Sequence, residues 1–270
     1  MRLIRPVIIL FFILQFQQSF SQKTPDSWKI TVDKINAANY YGITVANGMI
    51  GIVSSPEPFK VKNVVLAGAY DQYGRGRVSN FLNSFNLLNM NMDIDGKRLD
   101  SKSASNLKQE LDMHHASFTG SFDYLDKATI TYTYYSLRQL PFTVLMDVTI
   151  KAKKDILISP ASVMEAPDAL KDVQNYYNEI DRPHVNIALL TSSAKSPTGK
   201  LQLCASTTFL FEGDHKLEPK LIHEMWDNNM HLSRFSKNLK AGETYKFAIA
   251  GSSITSAHHP DPLNEAERLT

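Results

Sequence analysis

The stretch from Tyr41 to Asp71, YGITVANGMIGIVSSPEPFKVKNVVLAGAYD, decides the fold. It contains two apolar segments with the composition of strands, Ile43–Val53 and Val61–Ala69. The dipeptide Asn47-Gly48 lies inside the first segment and predicts a hairpin turn, because both residues tolerate a positive φ at low cost. The stretch therefore predicts a buried antiparallel hairpin at the start of the fold.

Polar and aromatic residues follow this hairpin, in what is interpreted as an exposed loop over Tyr70–Arg77. Sugar recognition combines an aromatic platform for the apolar face of the ring with planar hydrogen-bonding groups for the hydroxyls. The loop and the residues after it supply both types, and the candidate carbohydrate-binding residues are Tyr70, Asp71, Tyr73, Arg75, Asn80 and Phe81. The alternative is a solvated loop whose glycines serve only the turn geometry.

Short strands dominate the rest of the chain. In Asn86–Asp95 apolar residues recur at every second position, which is typical of a strand with one face in a core. About ten to fourteen such segments, without long helices between them, predict an all-β fold, a large antiparallel β-sandwich. One acidic interruption contains a possible short helix over Pro167–Tyr177.

The first 21 residues have the three-part layout of a secretory signal peptide. A basic start, Met1–Arg5, precedes the apolar run Val7–Phe16, and Ser19 and Ser21 are the small residues before the cleavage point. The apolar run is too short to span a bilayer. We therefore expect a signal peptide over residues 1–21, a secreted or periplasmic mature protein, and no membrane attachment after cleavage.

Charge and cysteine content narrow the classes of function. Removing residues 1–21 takes away two arginines and no acids, which leaves 27 basic and 27 acidic residues. A near-neutral chain does not support an electrostatic surface for nucleic acid, so no nucleic-acid partner is expected. The single cysteine, Cys204, lies in an apolar segment and is interpreted as a buried small hydrophobe.

The C-terminal residues are interpreted as the start of a helix. Pro260–Thr270 offers Asp261 or Asn264 as a cap and acidic residues in the first turn. His258-His259 precedes it and is interpreted as part of a polar linker. We therefore assign residues 22–252 to the β-sandwich domain and residues 253–270 to a linker that leads to a further domain.

Six motifs, in this order, resemble the N-terminal domain of glycoside hydrolase family 65, which includes maltose, trehalose and kojibiose phosphorylases and α-glucoside hydrolases. The motifs are Ala46–Gly51, Leu66–Asp71, Asn86–Gly96, Leu107–Met113, Ala128–Leu145 and Asp261–Ala266. The chain departs from the family pattern at Met49, where an aromatic residue is common, and over Pro160–Asp181.

The resemblance implies a very large, mutarotase-like β-sandwich that packs on an (α/α)₆ barrel and lends loops to the rim of the active site. In that family the catalytic glutamate lies on the barrel, and an α-glucosidic bond is cleaved with inversion. No residue of this chain inherits that role. The resemblance thus implies an accessory domain without catalytic residues or cofactor, whose partners are an α-glucoside carbohydrate and a catalytic barrel missing from this chain. It also implies an exposed apolar face where the barrel would sit.

Other polar groups have structural interpretations. Asp95-Gly96 ends a strand as a turn, without the later acidic ligands of a calcium loop. His114 and His115 are adjacent and, on a strand, would point to opposite faces. Glu110 and Asp112 share one face of a strand and are expected to meet lysines across the sheet. We predict no metal site.

A free-standing carbohydrate-binding or scaffold β-sandwich is the second hypothesis. A helix-rich continuation with a catalytic glutamate beyond Thr270 would favour the enzyme domain. Binding of glucosides by the chain alone would favour the free-standing module.

Overall fold

The computed structural model describes residues 27–74, 78–182, 185–213 and 218–270, so the predicted signal peptide lies outside the described residues. The described residues form nineteen strands, a 3₁₀ turn at Ala37–Asn39 and one C-terminal helix, α1, at Pro262–Leu269. The strands are β1 (Lys29–Val32), β2 (Thr44–Ala46), β3 (Ile50–Ser54), β4 (Val61–Gln72), β5 (Ser79–Asn83), β6 (Asn86–Ile94), β7 (Lys97–Arg98), β8 (Ala104–Asp112), β9 (Ser117–Tyr124), β10 (Ala128–Ser136), β11 (Thr143–Ala152), β12 (Ile156–Glu165), β13 (Lys171–Arg182), β14 (Val185–Lys195), β15 (Gln202–Phe211), β16 (Ile222–Met225), β17 (Met230–Arg234), β18 (Lys237–Leu239) and β19 (Thr244–Thr255).

The strands form three antiparallel sheets. The largest has nine strands in the order β1-β8-β9-β10-β11-β19-β15-β14-β13. A six-stranded sheet has the order β16-β17-β12-β6-β7, with β18 also paired to β12, and a four-stranded sheet has the order β2-β3-β4-β5. One continuous core contains residues from all three sheets, so the two smaller sheets pack on one face of the largest. The prediction of a large antiparallel sandwich is confirmed.

Aromatic packing at the centre of the core depends on one glycine. Phe59 lies 4.9 Å from Tyr132 and 5.7 Å from Phe122, measured between ring centroids. Gly120 is the cross-strand partner of Tyr132, and a Cβ at Gly120 would lie only 2.2 Å from the tyrosine ring. The glycine thus makes room for a large ring in a closely packed interior.

Two predictions about elements are wrong. The predicted helix over Pro167–Tyr177 is instead a turn over residues 167–170 followed by the start of β13, which pairs along β14. Because β13 is the last strand of the nine-stranded sheet, polar residues are tolerated on it and mask the apolar alternation. The described residues also contain more strands than the ten to fourteen predicted, since strands as short as β7 and β18 carry no recognisable sequence pattern.

The C-terminal segment, assigned from the sequence to a linker over residues 253–270, packs on the sandwich. The strand β19 continues to Thr255, beyond the predicted domain boundary at residue 252. The helix α1 is capped by Asp261, one of the two residues predicted as its cap, and Ala266 is buried against Cys204 and Ile254 on the outer face of the nine-stranded sheet. No helix among the residues that the structure describes is long and apolar enough to cross a membrane.

Candidate functional site

The predicted hairpin turn at Asn47-Gly48 is confirmed between β2 and β3, where Gly48 has a φ of +96°. The side-chain oxygen of Asn47 accepts hydrogen bonds from the backbone N–H groups of Met49 and Ile50, both at 3.0 Å. Its amide nitrogen donates to the carbonyls of Leu137 at 2.7 Å and Pro141 at 2.9 Å. This asparagine therefore fixes the four-stranded sheet to the turn between β10 and β11.

The predicted loop over Tyr70–Arg77 is shorter than expected. Tyr70 and Asp71 belong to β4, and they pair with Phe81 and Asn80 of β5. Arg75 lies outside the described residues. The glycine-rich composition suggested a loop, but backbone pairing between β4 and β5 continues through Tyr70 and Asp71.

Asp71 is buried rather than exposed, with 4% of its surface accessible. Its carboxylate accepts hydrogen bonds from the hydroxyl of Thr198 at 2.7 Å and from the backbone N–H groups of Thr198 at 2.9 Å and Gln72 at 2.7 Å. Burial alone would raise the pKa of Asp71, but these bonds and one from Ser196 outweigh it and hold the pKa well below its usual range. Asp71 ties β4 to the turn between β14 and β15.

Tyr70 and Phe81 lie side by side on the outer face of the four-stranded sheet. They are cross-strand partners, and each has 58% of its surface exposed. Tyr73, 44% exposed, begins the connection from β4 to β5, and the side-chain amide of Asn80 donates to its carbonyl at 2.8 Å. Four of the five described candidates therefore lie close together at the end of the β4–β5 hairpin: Tyr70, Tyr73, Asn80 and Phe81. The fifth, Asp71, is buried and anchors β4.

A bulge in β4 precedes this pair. The pairing with β5 changes register between Val65 and Tyr70, and Gly68 in the bulge has a φ of +77°. His258 donates from Nε2 to the carbonyl of Ala67 at 2.7 Å, and its Nδ1 lies 2.9 Å from the hydroxyl of Thr255. The predicted polar linker therefore contains a histidine that holds the bulge in place, a contact between residues too distant in sequence for a local pattern to reveal.

A groove of about 490 Å³ runs over this outer face. The residues that line it include Ala46, Met49, Val53 and Val65, together with Tyr70 and Phe81. A Cβ at Gly51 would lie 3.3 Å from both the Ala46 Cβ and the Val65 Cγ2, so the glycine keeps the groove open. None of the lining residues that the structure describes is charged.

The remaining sequence candidates have structural contacts. Lys29 lies 3.1 Å from the Glu110 carboxylate and 3.2 Å from that of Asp112, which confirms the expected pairing with lysine. His115 contacts Asp112 at 2.9 Å from a turn rather than from a strand. No group of three His, Cys, Asp or Glu residues in the described part of the chain is placed to hold a metal ion.

Cys204 is buried, as predicted, and burial is the main cause that raises the pKa of its thiol to about 12. At neutral pH the thiol is therefore protonated and is not a nucleophile.

Sequence reasoning missed a series of side-chain hydrogen bonds that links polar residues between the sheets. The hydroxyl of Ser192 donates to the Asn175 side-chain oxygen at 2.7 Å, so it accepts from His231 Nε2 at 2.9 Å. His231 Nδ1 then accepts from His223 Nε2 at 3.2 Å. Burial lowers the pKa of His231 to about 3, and the charge of His223 adds to this effect. No local motif joins these residues, since they come from four separate strands, β13, β14, β16 and β17.

Comparison with known families assigns the chain. The model of the glycosyl hydrolase family 65 N-terminal domain matches residues 42–270. The chain belongs to this family.

Two curated relatives are kojibiose hydrolases. One, from Mucilaginibacter mallensis, is 69% identical over 250 residues, and another, from Flavobacterium johnsoniae, is 51% identical over 261 residues. The matches cover 93% and 97% of this chain but only 37% and 38% of those proteins, so the chain spans little more than a third of their length.

A solved structure supports the fold. A protein assigned as a kojibiose phosphorylase, from the human microbiome, superposes with a TM-score of 0.67 at 12% identity and covers 89% of this chain and 35% of that one. The resemblance inferred from the six motifs is confirmed.

Proposed function

We propose that this chain is the accessory N-terminal domain of a secreted family 65 enzyme that hydrolyses α-glucosides, with kojibiose as the first substrate to test. The family match over residues 42–270 carries the proposal. The names of the two relatives, at 69% and 51% identity, supply the substrate. The catalytic acid and its partner would come from a barrel domain outside these 270 residues.

The tip of the β4–β5 hairpin would line one side of the carbohydrate pocket. Tyr73 offers an exposed ring for the apolar face of a sugar, and Asn80 keeps a side-chain oxygen for a hydroxyl. Asp71 would act only by holding β4 in place, since its carboxylate already accepts from Thr198 and Gln72.

Secretion is the second part of the proposal. The basic start, the apolar run and the small residues before residue 22 are the features that a signal peptidase reads. Expression in a Gram-negative host should give a periplasmic product whose first residue is Gln22. A cytoplasmic product that keeps Met1 would contradict secretion without affecting the enzymatic proposal.

A chimeric enzyme tests the function. It joins this chain to the part of the Mucilaginibacter mallensis protein that lies outside the matched segment, where 69% identity should preserve the contacts between the two parts. We expect the chimeric enzyme to release glucose from kojibiose at a rate close to that of the relative. A well-folded chimeric enzyme without activity on kojibiose or other α-glucosides would contradict the proposal.

A substitution at the hairpin tip tests the pocket. In the chimeric enzyme, Tyr73→Ala should raise the KM for kojibiose several-fold, because the ring would lose its contact with the sugar. Trp226→Ala is the matched control, since Trp226 is similarly exposed at the turn between β16 and β17, which belong to a different sheet, and it should leave KM unchanged. Equal effects of the two substitutions on KM would show that the hairpin tip does not line the pocket.

A further inference from the structure

The outer face of the four-stranded sheet has the composition of the centre of a protein interface. Among the described residues, its groove is lined mainly by aliphatic, aromatic and methionine side chains and by no charged residue. Interface centres are depleted of charged residues and enriched in aromatic residues and methionine. Tyr70 and Phe81 stand at its edge with more than half of each side chain exposed, and Val78 beside them is 67% exposed.

This face suits a protein better than a sugar. Of the lining residues in the described part of the chain, only Thr44, Asn63 and Tyr70 carry polar side-chain groups. A sugar presents several hydroxyls, each of which needs a hydrogen-bonding partner when it is buried. An apolar protein surface needs none, and it would gain from removing Tyr70 and Phe81 from water.

A second exposed aromatic surface, at the turn between β16 and β17, is less suitable. Met225 and Trp226 are each 53% exposed there. The neighbouring side chains are charged, however, and Glu224 pairs with Arg234 across the two strands. Charged residues around an apolar pair are typical of the solvated rim of an interface rather than its centre.

We propose that the outer face of β2–β5, centred on Tyr70 and Phe81, is the surface on which the catalytic part of the enzyme docks. This inference rests on the proposed function. The relatives are about 2.6 times as long as their matched segments, since the chain spans 37% and 38% of them. An enzyme of that length has a large further part that could cover this face, and a concave face without charge among its described residues suits an apolar surface of that part. The same docking places Tyr73, at the end of the face, next to the catalytic part.

Side-chain oxidation by hydroxyl radicals tests the surface directly. The chain alone and the chimeric enzyme are oxidised in parallel, and modification is measured by mass spectrometry at Met49, Tyr70 and Phe81. We expect Tyr70 and Phe81, each 58% exposed in the chain alone, to be oxidised at least about fivefold more slowly in the chimeric enzyme, because the centre of an interface excludes water. Met49, which is already half-buried, should show a smaller decrease. Met225 and Trp226 should react equally in both proteins.

Kojibiose hydrolysis by the same preparations separates the two proposals. Slower oxidation of Tyr70 and Phe81 in a chimeric enzyme that hydrolyses kojibiose supports both the docking surface and the proposed function. An active chimeric enzyme in which Tyr70 and Phe81 stay reactive, or in which Met225 and Trp226 are protected instead, overturns the docking surface and leaves the function standing. Protection in an inactive but folded chimeric enzyme supports the docking surface and contradicts the function.

A charge in the groove gives an independent readout. Phe81→Lys should leave the melting temperature of the chain alone within about 1 °C, because the side chain is exposed there, but lower that of the chimeric enzyme by at least about 3 °C. Trp226→Lys is the control and should affect neither protein. Equal shifts of the chain and the chimeric enzyme on Phe81→Lys would contradict docking on this face.

Discussion

His231 lies between the sheets with both ring nitrogens in hydrogen bonds, one to Ser192 and one to His223. The direction of these hydrogen bonds requires a neutral His231 ring, because Nδ1 must accept a hydrogen bond while Nε2 donates one. Burial lowers the pKa of His231 to about 3, below its ordinary value of 6.5, and burial lowers the pKa of His223 as well. Acid must therefore favour the unfolded chain, in which both rings are free to bind a proton.

The free energy of unfolding should fall as the pH is lowered from about 6.5 towards 3. In this window the unfolded state binds more protons, and His231 contributes up to about 1.4 kcal/mol per pH unit. Urea unfolding between pH 5 and 6.5 avoids most of the contribution of the carboxylates. His231→Gln should flatten the slope, whereas Tyr177→Phe, which keeps the ring stacked on His223, should not. A slope unchanged by His231→Gln would contradict a buried neutral histidine.

Asp71 and Thr198 form a second long-range polar contact, and it should stabilise the fold without touching substrate. Asp71→Asn should lower the free energy of unfolding by about 1.5–3 kcal/mol, because bonds to a charged acceptor are lost. Thr198→Val should cost less, and the double variant should be less destabilised than the sum of the two. In the chimeric enzyme the KM for kojibiose should stay unchanged. A large rise in KM without loss of stability would show instead that Asp71 contacts the sugar.

Among the elements, α1 depends most on its docking. Eight residues are too few for a stable isolated helix. Its contacts with the sheet include the Ser252 hydroxyl, which donates to the Ala266 carbonyl at 2.5 Å, and the Thr143 hydroxyl, which donates to the Leu269 carbonyl at 3.1 Å. The small side chain of Ala266 allows this close approach.

A larger residue at the helix contact should therefore destabilise the chain. Ala266→Leu should cost about 1–3 kcal/mol through overpacking against Cys204 and Ile254. Amide hydrogen exchange should also become faster over residues 262–270. Arg268→Leu places the same side chain on an exposed position of the helix. It should change the free energy of unfolding by no more than about 0.5 kcal/mol and leave the amide exchange rates unchanged. Equal effects of the two substitutions would show that the helix is not docked.

Elements with a local signal were predicted from the sequence. The alternation in β6 and the asparagine–glycine turn before β3 are imposed by neighbouring residues, and both are found. The strand β13 was mistaken for a helix because its edge position permits polar residues on both faces. The burial of Asp71 depends on Thr198, which lies 127 positions away, and no local pattern encodes such a contact.

At the scale of the whole molecule, the chain is a three-sheet sandwich of family 65 with an apolar face on its four-stranded sheet. The catalytic residues implied for the family have no counterpart among the motifs of this chain. In the function proposed here, the hairpin tip would form a wall of the carbohydrate pocket, and the apolar face would support the catalytic part.

Glucose release from kojibiose by the chain alone, assayed beside the chimeric enzyme, tests this account most directly. The account predicts no release above the buffer blank from the chain and clear turnover by the chimeric enzyme under the same conditions. Turnover by the chain alone, abolished by a point substitution within residues 22–270, would contradict it.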